Sequence, residues 1–456
     1  MVSDTSRRNV LFASAMGSSL APFMVSGLLV ALPTIGVEFG ADASLLGWLT
    51  NAFFLAAAVA LVPFGRLADL HGAKKVFTTG VGVYVISVIL CILAPTIQWL
   101  IAARFLTGIG AGMVFGTSIA LLSLVFPESE RGKAIGVNVT AMSVGFLLGF
   151  FLGGLFTFYT GWRSIFLVTI PIELAVIGMI LARIRGECEI TRERQSDIPG
   201  IVSYSSALLL IVVGFSTLPR TMGMVLLVLG LIVLVLFVLQ ERRLREPLIR
   251  VEMFWKNTTF GMANLAVLLF NISNFAIIFV LTLYLQSLRM FDSRIAGTIL
   301  LIPIVFIAVF SAFAGRLSDR IAPRNVIGSG IGFSSLSLLI FAFLNETTPL
   351  IIIIFSLILA GLGIAFCQPP LVRTSVSSVP KSMYGIASGM IETMRLVGMT
   401  IGIAITVILF TFFVGNRRIS PDVYPLYITS IQVTFWLFLG ISLVALLITL
   451  LFLKRS

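Results

Sequence analysis

The chain has 456 residues, of which 58% are apolar and 11% charged, with a mean hydropathy of +1.11 and a net charge of +12. A soluble domain carries about 25% charged residues, and a soluble chain of this length leaves roughly a quarter of its surface in water. A soluble globule and a disordered chain are both excluded, and the natural solvent for this composition is a bilayer. Three scattered cysteines, Cys91, Cys188 and Cys367, make no disulfide framework. One histidine, His71, nearly excludes zinc sites of the common types, a Ser-His-Asp triad and an HExxH protease.

Apolar runs long enough to cross a bilayer repeat from end to end. In chain order they fall at 10–33, 45–64, 76–94, 99–125, 134–158 and 163–183, then at 198–217 and 221–240. The last six fall at 259–286, 296–314, 325–344, 350–372, 384–413 and 429–453. The first follows Arg7-Arg8 but runs on to Pro33 with no clear cleavage site, so it is read as an uncleaved first span. Fourteen spans put both termini on one face. Counting Lys and Arg, 23 lie at the termini and the loops of that face, 6 on the opposite face, and Arg104 and Arg395 lie inside spans. That bias places both termini in the cytoplasm. It also assigns the positive charge to topology and anionic lipid rather than to nucleic acid.

The segment after the second span reads Gly65-Arg66-Leu67-Ala68-Asp69-Leu70-His71-Gly72-Ala73-Lys74-Lys75-Val76. The segment after the tenth reads Gly315-Arg316-Leu317-Ser318-Asp319-Arg320 and ends in Val326, so G-R-L-x-D and a valine recur 250 residues apart. A second echo runs at 253 residues: Gly108 and Gly110 match Gly361 and Gly363, and Gly136, Thr140, Gly145 and Gly149 match Gly389, Thr393, Gly398 and Gly402. Two six-span halves with a pair of spans inserted between them account for both offsets. Boundaries follow at 1–197 for an N-terminal six-helix bundle, 198–241 for the inserted pair, and 242–456 for a connector and C-terminal bundle. Parallel repeats of this kind build transporters whose site lies between the halves. The expected fold class is therefore an all-α membrane protein.

These residues resemble the major facilitator superfamily, and within it the fourteen-helix drug:proton antiporter family. The Gly65–Val76 segment resembles that superfamily's G-x-L-a-D-R-x-G-R-K signature, with Leu70 and Ala73 at two of its basic positions and Lys74 and Lys75 retained. Arg104 through Gly110 resembles the R-x-x-x-G-x-G signature of the fourth span. Gly145 through Gly154 resembles the fifth-span antiporter signature G-P-x-x-G-G, with Phe150 at the proline position. Ala31-Leu32-Pro33 matches the end of the first-span pattern, where Met24 and Leu29 stand at the upstream acid and amide positions. The resemblance covers nearly the whole chain. It implies two bundles rocking about a central chamber and export of a moderately apolar small molecule.

Gly65, Asp69, Gly72, Lys74, Lys75, Gly315 and Asp319 are read as a conformational switch. The glycines would allow a tight turn and close helix approach. The carboxylates would cap a neighbouring helix or pair with an arginine across the two halves. The bland alternative is a solvated turn. Gly145, Gly149, Gly153 and Gly154 are read as helix-packing positions.

Ionisable residues inside apolar spans are costly, and they default to function. Four stand out: Arg104, Glu173, Glu392 and Arg395. Arg104 is read either as snorkelling to the outer interface or as a helix–helix or coupling residue. Glu173 is a buried neutral acid or a proton carrier. Glu392 and Arg395, three apart on one helical face, neutralise each other or couple proton and substrate. Asn264, Asn271 and Asn274 form a stripe at spacings of seven and three, with Asn138, Thr140 and Gln368 on other spans. Asn138, Asn271, Asn274 and Gln368 are assigned to cavity lining, with interhelical hydrogen bonding as the alternative. Pro22, Pro171, Pro303 and Pro369-Pro370 are read as breaks that permit bends. The segment from Glu241 to Lys256 is read as an amphipathic surface helix.

The expected function is secondary active transport, proton-coupled efflux of a small, moderately apolar molecule at the plasma membrane. A uniporter or importer of a neutral or anionic metabolite is the alternative. A membrane enzyme or channel is the reading from another class. No G-x-x-x-x-G-K-[ST] occurs, which argues against nucleotide-driven transport. The expected partners are a small-molecule substrate, protons and the lipid bilayer. No cofactor, metal or nucleic acid is expected, and the chain is read as a monomer.

Overall fold

A computed structural model describes residues 4–183, 197–218, 220–244, 248, 251–380, 383–415 and 421–453. Among them, fourteen helices are long and apolar enough to cross a membrane. In chain order the helices begin with α1 (Asp4–Phe39), α2 (Ala43–His71), α3 (Ala73–Ile92), α4 (Ile97–Val125) and α5 (Glu128–Tyr159). The sixth span is split into α6 (Arg163–Leu167) and α7 (Thr169–Arg183). The inserted pair is α8 (Ile198–Ser216) and α9 (Thr221–Glu241), followed by the short α10 (Glu252–Lys256). Then come α11 (Thr258–Leu283), α12 (Ser293–Leu317), α13 (Pro323–Phe341), α14 (Leu350–Ser377), α15 (Tyr384–Val414) and α16 (Tyr424–Phe452). In lipid every backbone polar group must be satisfied within the protein, and continuous helices satisfy it locally.

Pro22, Pro303 and Pro369-Pro370 lie inside continuous helices, where a proline removes a backbone hydrogen bond without ending the helix. The break falls at Val168, between α6 and α7, which puts Pro171 in the first turn of α7, where a missing N–H is harmless. Two sequence expectations need correction. Among the described residues of the connector, Glu241 ends α9, residues 242–244 are not helical and the helix resumes over Glu252–Lys256; residues 245–247 and 249–250 lie outside the described set. The motif after the second span is not a loop either. Gly65 through His71 continue α2, and the turn is Gly72 alone, at φ +96, a conformation that favours glycine. Gly65 faces Gly116 of α4: a Cβ added at Gly116 would stand 3.3 Å from the Gly65 nitrogen, and one at Gly65 would stand 3.7 Å from the Gly116 carbonyl. Gly315 has nothing within 4 Å and also stays helical, in α12.

The internal repeat is visible in how helices touch. A Cβ added at Gly145 or Gly149 would fall within 3.0 Å of the carbonyls of Ser19 and Phe23, and one at Gly153 would strike the backbone of Gly27. α5 thus lies on α1 through glycines four residues apart, with Gly154 buried beside them. Gly398 and Gly402 of α15 lie in the same way on the Leu268 and Ile272 carbonyls of α11, 249 residues after Ser19 and Phe23. Gly108 meets the Phe53 carbonyl as Gly361 meets that of Pro303, and Gly110 meets Gly80 and Tyr84 as Gly363 meets Gly330 and Ser334. Small residues that let backbones approach are the usual adhesive between helices in lipid, where the hydrophobic effect supplies none.

Contacts divide the chain into two compact units. Unit 1 comprises residues Met1–Ile35, Trp48–Leu209 and Gly230–Leu248. Its core joins Val10 and Ala13 of α1, Phe77 and Val81 of α3, Met113 and Leu121 of α4, and Val176 and Ile180 of α7. Unit 2 comprises Gly36–Gly47, Leu210–Leu229 and Ile249–Ser456. Its core joins Val267 and Phe270 of α11, Ile327 and Ile331 of α13, Cys367 and Leu371 of α14, and Ala445 of α16. α9 is the most apolar span and leaves Val225, Val228, Ile232, Val235 and Leu239 exposed, a surface that only hydrocarbon solvates.

Candidate functional site

Unit 1 buries Asp197 and Glu241 at the ends of its helices, and Arg104 and Glu173 within its spans. Arg104 of α4 is 1% exposed, which removes the snorkelling reading. Its guanidinium carbon stands 4.6 Å above the ring of Phe53 from α2, a cation–π contact. Its Nε and Nη1 have no hydrogen-bond partner. Glu173 of α7 is equally buried, at 1%, and neither carboxylate oxygen has a hydrogen-bond partner. Thr169, one turn earlier, gives its hydroxyl to the Phe166 carbonyl at 2.9 Å.

Tyr84 of α3 lies close enough to feel the charges of both Glu173 and Arg104, with Cys91 also near. Its hydroxyl donates to the sulfur of Met24 at 3.5 Å, and Cys91 Sγ lies 3.8 Å from Thr107 Oγ1. Tyr84 and Glu173 share a small cavity with Gly17 and Ala21 of α1 and Ala111 and Val114 of α4. Its free volume of ≈ 10 Å³ is about that of one water. Met24, which replaces an acid in the first-span pattern, is therefore the acceptor for this tyrosine. Buried polar groups are nearly always satisfied, so unpartnered ones call for an explanation.

Asn138 of α5 is buried against α1, where Ser14 donates to its Oδ1 at 3.4 Å. Unit 2 carries the asparagine stripe. Asn264, Asn271 and Asn274 of α11 are all buried. Each donates its amide to the carbonyl four residues back, at 2.9, 2.7 and 2.9 Å. Two of them also reach α14. Asn264 donates to Ser375 Oγ at 3.2 Å, and Gln368 donates to Asn271 Oδ1 at 3.1 Å. Going seven residues up α11 goes seven residues down α14, so these are successive rungs between antiparallel helices. The Oδ1 atoms of Asn264 and Asn274 have no hydrogen-bond partner. On α15, Arg395 and Glu392 form an ion pair one turn apart, both half-buried, with Arg395 Nε unpartnered.

The switch residues separate. Asp319 pairs with Arg373, at the end of α14 and within the same unit, rather than with an arginine across the halves. The side chain of Asp69 lies outside the described residues. Lys74 and Lys75 occupy the first turn of α3. The Asp319–Arg373 pair is exposed, and such pairs contribute about 0.2–1 kcal/mol. Asp319→Asn is therefore expected to leave the melting temperature nearly unchanged, so a large fall in transport by this variant would report on the transport cycle rather than on folding. Tyr84, Ser14, Ser375 and Arg373 were not among the sequence candidates. For Tyr84 the available signal was a phenol inside an apolar span, aligned by the repeat with Ser334.

Residues 14–403, and again residues 263–456, match the Major Facilitator Superfamily. The second match begins 249 residues after the first, the offset at which α11 repeats α1. The chain belongs to the Major Facilitator Superfamily. It is 25% identical over 447 residues to the riboflavin transporter RibZ of Clostridioides difficile (strain 630), covering 98% of each chain. It is 30% identical over 407 residues to the multidrug resistance protein Stp of Mycobacterium tuberculosis, covering 88% of this chain and 75% of that one. The fold aligns with the crystal structure of an auto-inhibited POT family peptide transporter at a TM-score of 0.75 and 14% identity, over 98% of this chain and 97% of that one. This member of the superfamily is a multi-pass membrane transporter rather than an enzyme, and its fourteen spans fit the fourteen-helix drug:proton antiporter type.

Proposed function

We propose that the protein exports a small, moderately apolar molecule in exchange for protons, by alternating access, with both termini on the cytoplasmic face of the plasma membrane. One observation carries the proton arm: Glu173 is buried in a membrane-spanning helix with no partner for either carboxylate oxygen. An ionisable residue is costly inside an apolar span and defaults to function, and a carboxyl there gives a carrier a group that can load and unload a proton. Arg104 supplies a second buried group with nitrogens to spare. Likeness to the multidrug resistance protein Stp supports export. Asn271, Asn274 and Gln368 supply hydrogen-bonding groups that a wet chamber would use, and Glu392 and Arg395 a charge pair that cancels itself.

Likeness to RibZ favours a second reading, in which the substrate is a polar, neutral or weakly anionic metabolite. The absence of an acid at Met24 and the unpaired nitrogens of Arg104 suit that ligand charge better than a polycation. Reconstitution in proteoliposomes separates the readings. Ethidium, puromycin and riboflavin are followed with and without an imposed pH gradient. Efflux of ethidium or puromycin accelerated by the gradient is expected. Riboflavin movement indifferent to the gradient would favour the second reading and overturn the first.

A further inference from the structure

We propose that Glu173 is the loading point of a proton site enclosed within unit 1 and separate from the substrate's, with the Tyr84 hydroxyl as the positioning group between it and Arg104. The inference rests on the proton-coupled reading above and locates its proton. Ligand pockets run to about 300–1,000 Å³. The cavity at Glu173 has room for about one water, so no transported molecule fits beside this carboxyl in this conformation.

The groups that face Glu173 are few. Gly17 and Ala21 of α1 and Ala111 and Val114 of α4 offer no side-chain donor. Thr169, on its own helix, places its hydroxyl on the Phe166 carbonyl at 2.9 Å and within reach of the Glu173 carboxyl. Tyr84 is the titratable group that shares the cavity. Arg104 and Cys91 lie near Tyr84 and are not among the cavity's lining residues.

The chemistry follows from what each group lacks. When the proton leaves Glu173 for a water entering the cavity, and departs as hydronium, the carboxylate left behind needs a donor. The Tyr84 hydroxyl now donates to a thioether sulfur, a weak acceptor that gives it up cheaply. A hydroxyl donates once and keeps two lone pairs. Turned toward Glu173, it can still accept from the guanidinium of Arg104, whose Nε and Nη1 are unpartnered. Loss of one proton thereby links α7, α3 and α4 through a chain of charge-assisted hydrogen bonds that is absent when the proton is on. The carboxyl O–H breaks and one O–H of the departing hydronium forms; no other covalent bond changes. Coupling of this kind links two separate sites through one conformational equilibrium, not through competition for a single carboxylate.

Infrared difference spectroscopy on the full-length protein in liposomes tests this without knowledge of the substrate. The wild type should show a protonated-carboxyl C=O band that fades as pH rises. Glu173→Gln should remove it, and Glu392→Gln should leave it. Tyr84→Phe keeps the ring and removes the hydroxyl. It should shift the band's frequency and let it persist about one pH unit higher, the worth of one lost hydrogen bond to the carboxylate. Affinity for whichever of ethidium, puromycin and riboflavin the wild type binds should change less than twofold in Glu173→Gln. A band that survives Glu173→Gln, a Tyr84→Phe band identical to wild type, or a tenfold loss of affinity would overturn the proposal. If the band behaves as expected while transport ignores the pH gradient, the proton-coupled reading fails and the site stands.

Discussion

Gly149→Ala is expected to be among the most destabilising single substitutions in unit 1. The added Cβ would fall on the Phe23 carbonyl and the Ser26 hydroxyl of α1. Backbone cannot yield as a flexible side chain can, so α5 must lift off α1, unseating Gly145 and Gly153 as well. Overpacking of a well-packed contact costs about 1–3 kcal/mol, and a clash with main chain belongs at the top of that range. The same helix provides its own control. Gly136, at the other end of α5, has nothing within 4 Å of an added Cβ. Gly136→Ala should be neutral or slightly stabilising, because alanine is the better helix former by about 1 kcal/mol. The duplication predicts that Gly402→Ala will repeat the effect in unit 2, on the Ile272 carbonyl, while Gly389→Ala, again with open space, will not. Melting of the four purified variants in detergent, followed by size-exclusion chromatography after heating, provides the comparison. Equal melting temperatures for Gly136→Ala and Gly149→Ala would show that the α1–α5 contact is not held by its glycines.

The spans were legible because a bilayer imposes one length and one polarity on every crossing segment. What hydropathy does not mark is where a helix ends. α5 begins at Glu128, six residues before the apolar run that signals it, because its first turns stand clear of hydrocarbon and need not be apolar. The same physics makes Gly65 through His71 look like a loop: Arg66 and Asp69 mark the end of the lipid, while α2 continues. Arg104 and Glu173 were legible because charge is conspicuous against an apolar background. Tyr84 was not, since a phenol is at home in an apolar span and only the fold shows Glu173 across the cavity from it. The partner of Asp319 was not legible either, because several arginines lie at the same membrane level and sequence distance does not rank them. The Asn264–Ser375 and Asn271–Gln368 rungs depend on the relative height of α11 and α14, which no single-helix pattern contains.

The two embedded acids are expected to respond in opposite ways to the same substitution. Glu173 has no hydrogen-bond partner to lose, so Glu173→Gln exchanges an unsatisfied carboxyl for an amide of nearly equal size. Its stability should stay within about 1 kcal/mol of wild type, or rise. Its transport should lose the response to an imposed pH gradient by about tenfold or more, the scale of a coupling free energy of about 1–3 kcal/mol. Glu392 is the reverse case. It is paired with Arg395 one turn away, and the two side chains are 27% and 33% exposed. Glu392→Gln leaves that arginine without its counter-charge in a half-buried place, where a lost charged hydrogen bond costs about 1.5–3 kcal/mol. Its melting temperature should fall while its gradient response survives. The double variant Glu392→Gln with Arg395→Met removes both charges and should recover most of the lost stability, as replacing a whole ion pair by apolar groups often does. Proteoliposome flux at several imposed gradients, read beside melting curves, measures both quantities on the same preparations. If Glu173→Gln keeps the full gradient response and Glu392→Gln abolishes it, the proton is carried in unit 2 on α15, and the buried acid of α7 is structural.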